Sequence, residues 1–597
     1  MNYRIVMCAG LLLAGLASEG RASMNKPSIE YTLRMPAPHT HYFEVTMTMQ
    51  GIKKDYIDII MPVWTPGSYK VREFSRNVEN VRATSGSQSL RVEKISKNTW
   101  RVFSGKTENV AVNYAVYAYE LSVRTSYMDA SHGYVNGASV FMYADGYQSL
   151  THTVTIELYN EWKHISTGLK PVSGSTHRFV ADHYDVLVDS PIEMGNQKIL
   201  NFELQGVPHE IAIYGIGNYD TEAMVRDMRK IAETTAAMFG KLPFERYVFI
   251  IHCVPGYGGG LEHANSTTLG MDSWSFADAA GYNSFMSLTA HEYFHLWNVK
   301  RIRPKELGPF DYTSENYTKL LWIAEGFTAY YDDLITRRAG YYTVDQYLRR
   351  IEGNIQEVQS APGRFVRSVE EASWDAWIKY YMPDENSVNS SISYYTKGAL
   401  LGLMLDMEIL RATRGEKSLD DLLRWLWTEY DQKLGRGFTP EEFQKAAERL
   451  AGTSLDVFFQ NYVRGTAELD YNAALQTVGL RVKEIKSDAP YYGFETRNNG
   501  EFTIRTVVRD APAWHAGLNV NDEVLAVDGI RVTARTLQAR LNEKKIGTSV
   551  RILIARDTQL QEIVITPSEM PARYRLERVS EPTAQQEQIF KKWLNLN

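Results

Sequence analysis

The sequence predicts a multidomain α+β protein: an N-terminal all-β domain, a mainly helical middle domain and a small mixed C-terminal module. Three observations carry this reading. The chain has 597 residues, more than one hydrophobic core ordinarily serves. Short runs rich in β-branched and aromatic residues recur from about Ile29 to Glu203, with turn signals between them and no long helical periodicity. From about Thr221 the apolar spacing becomes helical, and after about Pro490 strand-like runs return.

The first element is not structural. Arg4 precedes an apolar run, Ile5 to Ala17, which is short for a membrane span. Gly20-Arg21-Ala22 fits a small-x-small cleavage rule, as does Gly15-Leu16-Ala17. Residues 1–22 are therefore expected to be a signal peptide, leaving an exported protein, periplasmic or secreted, with no stable membrane span. Of the two cysteines, Cys8 is then lost and Cys253 remains alone. No intramolecular disulfide can form, and no zinc can be held by several cysteines. The formal net charge of -6 gives no electrostatic footing for nucleic acid or an anionic membrane.

The all-β domain is expected over residues 24–208, from runs such as Tyr56-Ile-Asp-Ile-Ile60 and Val110-Ala-Val-Asn-Tyr114. The helical domain is expected over 209–468. It opens on a helix from Ala223 to Phe239, a short strand from Tyr247 to Cys253 and the run Gly256-Tyr-Gly-Gly-Gly260. The last module spans 480–570: strand-like Phe502 to Val508, then Asp510-Ala-Pro-Ala-Trp-His-Ala-Gly517, then Ser549 to Ile554. Residues 571–597 read as a polar, loosely packed tail.

One motif carries chemistry. His291-Glu292-Tyr293-Phe294-His295 places two imidazoles four residues apart, on one face of a helix, where they can share a cation. Zinc suits that donor type, and one catalytic Zn2+ is expected. Glu292 is displaced round the helix, where it can accept a proton from water. A catalytic zinc needs a third protein ligand. Glu325, in Trp322-Ile-Ala-Glu-Gly-Phe-Thr-Ala-Tyr-Tyr331, is the best candidate; Glu306, Asp311 and Glu315 are alternatives in a Pro/Gly-containing connection. Asp332 lies two helical turns after Glu325 and either orients a ligand imidazole or is a surface acid.

Hydrolysis also needs a donor for the developing oxyanion. Tyr395, in Tyr394-Tyr-Thr-Lys-Gly-Ala399, is the candidate. Gly259 and Gly260 would let backbone approach a bound peptide. Glu262 could pair with a substrate α-ammonium; an exposed acid beside a glycine turn is the plainer alternative.

The segments Gly-Gly-Leu-Glu-His (259–263), His-Glu-Tyr-Phe-His-Leu-Trp-Asn (291–298), Ala-Glu-Gly-Phe (324–327) and Tyr-Thr-Lys-Gly-Ala (395–399) occur in the order seen in aminopeptidase N-like gluzincins. With Trp64-Thr-Pro-Gly-Ser-Tyr69 and the flanking modules, the chain resembles the bacterial glycyl aminopeptidase family. That resemblance implies a thermolysin-like catalytic domain and a C-terminal PDZ domain. It implies His291, His295 and Glu325 as zinc ligands, Glu292 as general base, Tyr395 as oxyanion donor and Glu262 as the holder of the substrate amine. It implies peptides with a free N-terminus as substrates, with N-terminal Gly or Ala preferred, and a peptide or C-terminus as a ligand of the PDZ domain, with Tyr492-Gly-Phe494 as carboxylate loop. Two departures are visible: His263 stands where aminopeptidase N-like enzymes carry Asn, and the His295–Glu325 gap is longer than theirs. A zinc endopeptidase in exported-protein quality control and an inactive PDZ peptide-binding protein are the competing readings.

Overall fold

The computed structural model describes residues 27–498 and 502–596. The expected signal peptide, 1–22, lies outside the described residues. The N-terminal domain is built on an eight-stranded sheet. Its strand Tyr42–Gln50 alternates in burial, with Phe43, Val45, Met47 and Met49 inward, as a sheet with one covered face requires. Two four-stranded sheets complete the β-rich domain and share its core.

The middle domain begins with a five-stranded sheet in the order Lys198–Leu204, Val207–Gly215, Tyr247–Cys253, Ser266–Met271, Gly259–Glu262. The boundary expected at 208 is therefore too late. Lys198–Leu204 pairs with Val207–Gly215 through a two-residue turn. Gln205 and Gly206 both have positive φ (52° and 78°), the geometry of a tight hairpin. Tyr247–Cys253 is buried throughout and parallel to both neighbours, which explains why it is apolar except for His252. Gly259–Glu262, read from sequence as a glycine turn, is an antiparallel edge strand.

Helices fill the rest of the domain. Ala279–Phe294 carries the histidine motif to its end, with Asp278 capping its N-terminus through the Gly281 N–H. Gly326–Arg338 packs on it and on Thr396–Ala412. The second crossing is close because both helices offer glycine. A Cβ at Gly326 would lie 2.5 Å from the Gly398 Cα.

The C-terminal module is hung on a ribbon. Leu480–Tyr491 pairs antiparallel with Ser568–Arg578, and the module folds between them around its own core of Ile504, Val550, Ile552, Ile554 and others. The expected loose tail is overturned. Its first half is a ribbon strand and its second is the helix Ala584–Leu594, started by a Thr583/Gln586 capping box. Ile589, Phe590, Trp593 and Leu594 are buried in the core of the middle domain, and Trp593 Nε1 donates to the Tyr330 hydroxyl at 2.8 Å. These apolar residues sit one turn apart among polar neighbours, so composition hides a helix with one buried stripe.

The N-terminal domain is wedged into the middle domain. Trp64 and Tyr69 belong to the middle domain's core, and Trp64 Nε1 donates to the Asp311 carbonyl at 2.8 Å. A buried cluster also crosses the boundary: His132 Nδ1 and His252 Nε2 lie 2.8 and 2.9 Å from the two oxygens of Glu193. Those are direct hydrogen-bond lengths, and the fully enclosed triad reads as a structural tie. Asp189 forms a third tie, with Lys300 Nζ at 2.6 Å, His263 Nδ1 at 3.1 Å and the Ala264 N–H at 2.9 Å.

Burial alone would raise the Asp189 pKa, but the Lys300 ammonium and His263 outweigh it and hold it down at about 2. A depressed carboxyl stabilises the fold fully above the unfolded value of about 4 and ceases to do so as pH falls towards 2. Lys300→Met leaves a buried charge unpaired and should cost about 3 kcal/mol at pH 7. Chemical denaturation at several pH values should show that gap narrowing below pH ~4.

Candidate metal centre

The two histidines are aimed by their inner nitrogens. His291 Nδ1 lies 2.8 Å from Asp332 Oδ2, and His295 Nδ1 donates to the Asn298 carbonyl at 2.7 Å. Both Nε2 atoms are thereby turned towards Glu325, at 3.7 Å from His291 and 3.2 Å from His295. Donors sharing one tetrahedral zinc with bonds of about 2.05 Å are about 3.3 Å apart. The spacing here brackets that value, unlike the shorter spacing around Glu193. The donor set of two imidazoles and a carboxylate thus fits a zinc ion.

Glu325 reaches this position because the second helix is broken there. Leu321–Ala324 ends, Glu325 takes φ -100°, and Gly326–Arg338 begins. Asn298 holds the break: its Nδ2 donates to the Ile323 and Ala324 carbonyls at 2.9 and 3.1 Å and to Thr328 Oγ1 at 3.1 Å. Asn298 was not singled out by sequence reasoning, although it closes the quoted His-Glu-Tyr-Phe-His-Leu-Trp-Asn segment. Glu306, Asp311 and Glu315 do not line the cavity. Asp311 instead accepts hydrogen bonds within its own loop, from Thr313 and Ser314.

A cleft of about 450 Å³ opens over these donors. Glu262, Glu292 and Tyr395 line it, as expected, together with Gly67, Arg124 and Tyr381, which sequence reasoning did not select. The Trp64-Thr-Pro-Gly-Ser-Tyr69 segment turns at Gly67 (φ +82°), with the Ser68 N–H donating to the Thr65 carbonyl. Pro then Gly at the turn's centre is the type II pattern. The turn presses on Glu262: a Cβ at Gly67 would lie 2.7 Å from its Oε1. Gly260 is tighter still, with a Cβ there 2.0 Å from Glu292 Oε1. Gly259 is more open.

Three carboxylates are buried here, those of Glu262, Glu292 and Glu325. Among the described residues, Glu262 Oε1 and Glu292 Oε2 have no hydrogen-bond partner. Burial pushes Glu292 up to about 7 against the pull of both histidines. Burial would also raise Glu325, but the histidines hold it at about 2. For His291, burial is outweighed by the Asp332 and Glu325 carboxylates, which hold its pKa well above the ordinary range. The site therefore collects positive charge, as a cation-binding site does. Burial, with help from Glu325, raises the Tyr395 phenol well above its ordinary value and keeps it a neutral donor. The Tyr395 ring lies 6.4 Å from that of His291.

His263, which replaces Asn of the related pattern, turns away from the cleft to Asp189. The register around it decides how the edge strand is used. His263 N–H bonds to the Ser266 carbonyl, and alternation along the antiparallel pair then leaves the N–H and C=O of Gly260 and Glu262 on the open edge.

A donor set of this kind, beneath an open strand edge, defines a metal-dependent peptidase. Comparison with known proteins agrees. The peptidase M61 N-terminal domain matches residues 30–196, the M61 glycyl aminopeptidase 284–401 and a PDZ domain 477–566. The crystal structure of an aminopeptidase N family protein from Idiomarina loihiensis is 31% identical, with TM-score 0.88, covering 95% of this chain and 100% of that one. An M1 zinc metallopeptidase from Deinococcus radiodurans is a distant likeness, 14% identical with TM-score 0.47, covering 74% of this chain and 94% of that one. No curated protein matches the chain. The chain belongs to the M61 glycyl aminopeptidase family and is a peptidase.

Gly260→Ala should displace the Glu292 carboxylate and lower peptide turnover at least ~100-fold, since about 1 Å of misplacement has that effect. Metal stoichiometry and thermal midpoint should stay near wild type. Unimpaired turnover would contradict the tight contact.

Proposed function

We propose that the protein is a zinc aminopeptidase that removes N-terminal Gly or Ala from peptides. The observation that carries this reading is the Glu262 carboxylate, buried and short of a partner on an open strand edge beside the donor set. A substrate α-ammonium is the group such a carboxylate lacks. His291, His295 and Glu325 would hold the ion, with Asp332 and the Asn298 carbonyl fixing the two rings. When bound, zinc supplies Lewis-acid polarisation of the scissile carbonyl and acidifies water.

The chain's own residues do the rest. The open edge at Gly260 and Glu262 accepts the peptide as an added strand. Glu262 holds the amine and so sets the scissile bond one residue in. Glu292, its pKa raised by burial, takes a proton from the attacking water and returns it to the leaving amine. Tyr395 donates its phenolic proton as a hydrogen bond to the oxyanion. The preference for Gly and Ala rests on the match to the M61 glycyl aminopeptidase.

The PDZ domain is assigned to peptide binding through Tyr492-Gly-Phe494 and the strand after it. Phe494–Asn498 is the edge of its sheet, and the Tyr492 hydroxyl donates to the Leu541 carbonyl in the facing helix. The signal-peptide reading supports work in the periplasm or outside the cell.

A panel of Gly, Ala, Leu and Arg aminoacyl substrates and N-acetyl-Gly, with and without a zinc chelator, tests the reading. Gly and Ala should be cleaved at least ~10-fold faster than the others, and only with zinc. Cleavage of blocked peptides would favour the endopeptidase alternative. Glu292→Gln should retain stoichiometric zinc with turnover lowered about 1,000-fold or more, whereas Glu325→Ala should lose the metal. Full zinc occupancy in the latter would remove Glu325 from the ligand set.

A further inference from the structure

Arg124, from the N-terminal domain, reaches the cleft without a carboxylate to meet it, and the neighbouring Arg72, which does not line the cleft, adds to the local positive charge. Arg124 lines the cleft beside the edge strand. Its Nη2 reaches the Gly260 carbonyl only at 3.5 Å, and its Nη1 lies 3.8 Å from where a Gly259 Cβ would be. Its Nε is buried with no hydrogen-bond partner. Among the described residues, the side-chain hydrogen bonds of both arginines go to carbonyls, Arg72 Nη1 to that of Lys70 at 3.2 Å and Arg124 Nη2 to that of Gly260, and neither guanidinium is in an ion pair.

The backbone that leads into Arg124 is held in place. The Val123 carbonyl, next to Arg124, accepts from the Tyr134 hydroxyl at 3.3 Å and from Asn136 Nδ2 at 3.4 Å. Burial first, and then the Arg124 charge, push Arg72 down to about 10, with Tyr381 and the exposed Glu120 opposing. Two like charges part-buried near a cleft are unfavourable unless an anion joins them. Glu262, at the other end of the strand, is the complementary anion for an amine.

Spacing selects the ligand. A strand added antiparallel to Gly259–Glu262, with its N-terminus at Glu262, runs towards Gly260 and Gly259. At about 3.3–3.4 Å per residue, two to three residues span about 7–10 Å. That is the amine-to-carboxylate length of an extended dipeptide or tripeptide. We propose that Arg124, supported by Arg72, binds the C-terminal carboxylate of di- and tripeptides, so that the enzyme is a short-peptide aminopeptidase. This deepens the reading above and rests on it for the peptide's direction. A guanidinium grips a carboxylate bidentately, which fixes position as well as charge.

The test is binding, separated from turnover. Zinc-loaded Glu292→Gln protein is titrated calorimetrically with Gly-Ala-Leu and with its C-terminal amide. The free acid should bind at least ~10-fold tighter than the amide. Arg124→Gln in the same background should bring that ratio close to one, and Arg72→Gln should reduce it in part. Equal affinity for acid and amide in the Arg124-containing protein overturns the proposal, as does a ratio unchanged by Arg124→Gln. The first comparison needs no Arg variant to fold. Hydrolysis of Gly-p-nitroanilide, which has no carboxylate, is measured alongside with wild-type enzyme. An acid preference in binding without that hydrolysis would retain the carboxylate site and reject the aminopeptidase reading; the reverse result would do the opposite.

Discussion

Three carboxylates lie buried round one small cleft, and the arrangement of the middle domain follows from keeping them there. Glu262, Glu292 and Glu325 come from an edge strand, a helix and a helix break. Burying three acids together is unfavourable unless positive charge is supplied. His291 and His295 supply it as protons only while no ion is bound; as neutral imidazoles they offer, with Glu325, a donor set for a divalent ion that would bring the charge instead. Each of these donor residues is locked by something behind it: Asp332, the Asn298 carbonyl, and the Asn298 amide that holds the break. The glycines at 326 and 398 then let Tyr395 close the site from a third helix.

The part of this written in local spacing was legible in the sequence. Two histidines four apart must share a helix face, and the structure brings Glu325 and Asp332 to the same pair. The edge strand was not legible. Four residues that begin Gly-Gly carry no strand propensity, and their extended form is imposed by pairing with Ser266–Met271. The C-terminal helix was hidden because four apolar residues in a polar stretch read as a tail until the partner core is known. Asp189 and Arg124 could not have been found at all, and Gly67 was visible only as part of the Trp64–Tyr69 segment. Their significance lies in contacts with residues more than 70 positions away, for which one sequence holds no signal.

Those long-range contacts make the N-terminal domain part of the site. It sends the Gly67 turn against Glu262, Arg124 to the open edge and Asp189 to His263 and Lys300. The departure at His263 is explained by the last of these: the side chain serves the domain boundary instead of the substrate. The PDZ domain is attached differently, through a two-stranded ribbon whose return strand leads into the helix buried beside Tyr330, and through Asn389, which bonds the Val507 carbonyl and the Arg509 N–H. A module inserted this way can engage a peptide while its base stays fixed to the middle domain.

Zinc K-edge X-ray absorption on the loaded protein tests whether the buried acid cluster holds one zinc through two imidazoles and a carboxylate. The spectrum should show only nitrogen and oxygen neighbours at about 2.0–2.1 Å, with the outer-shell scattering of two imidazoles. A sulfur neighbour near ~2.3 Å, or the scattering of a single imidazole, would contradict that ligand set.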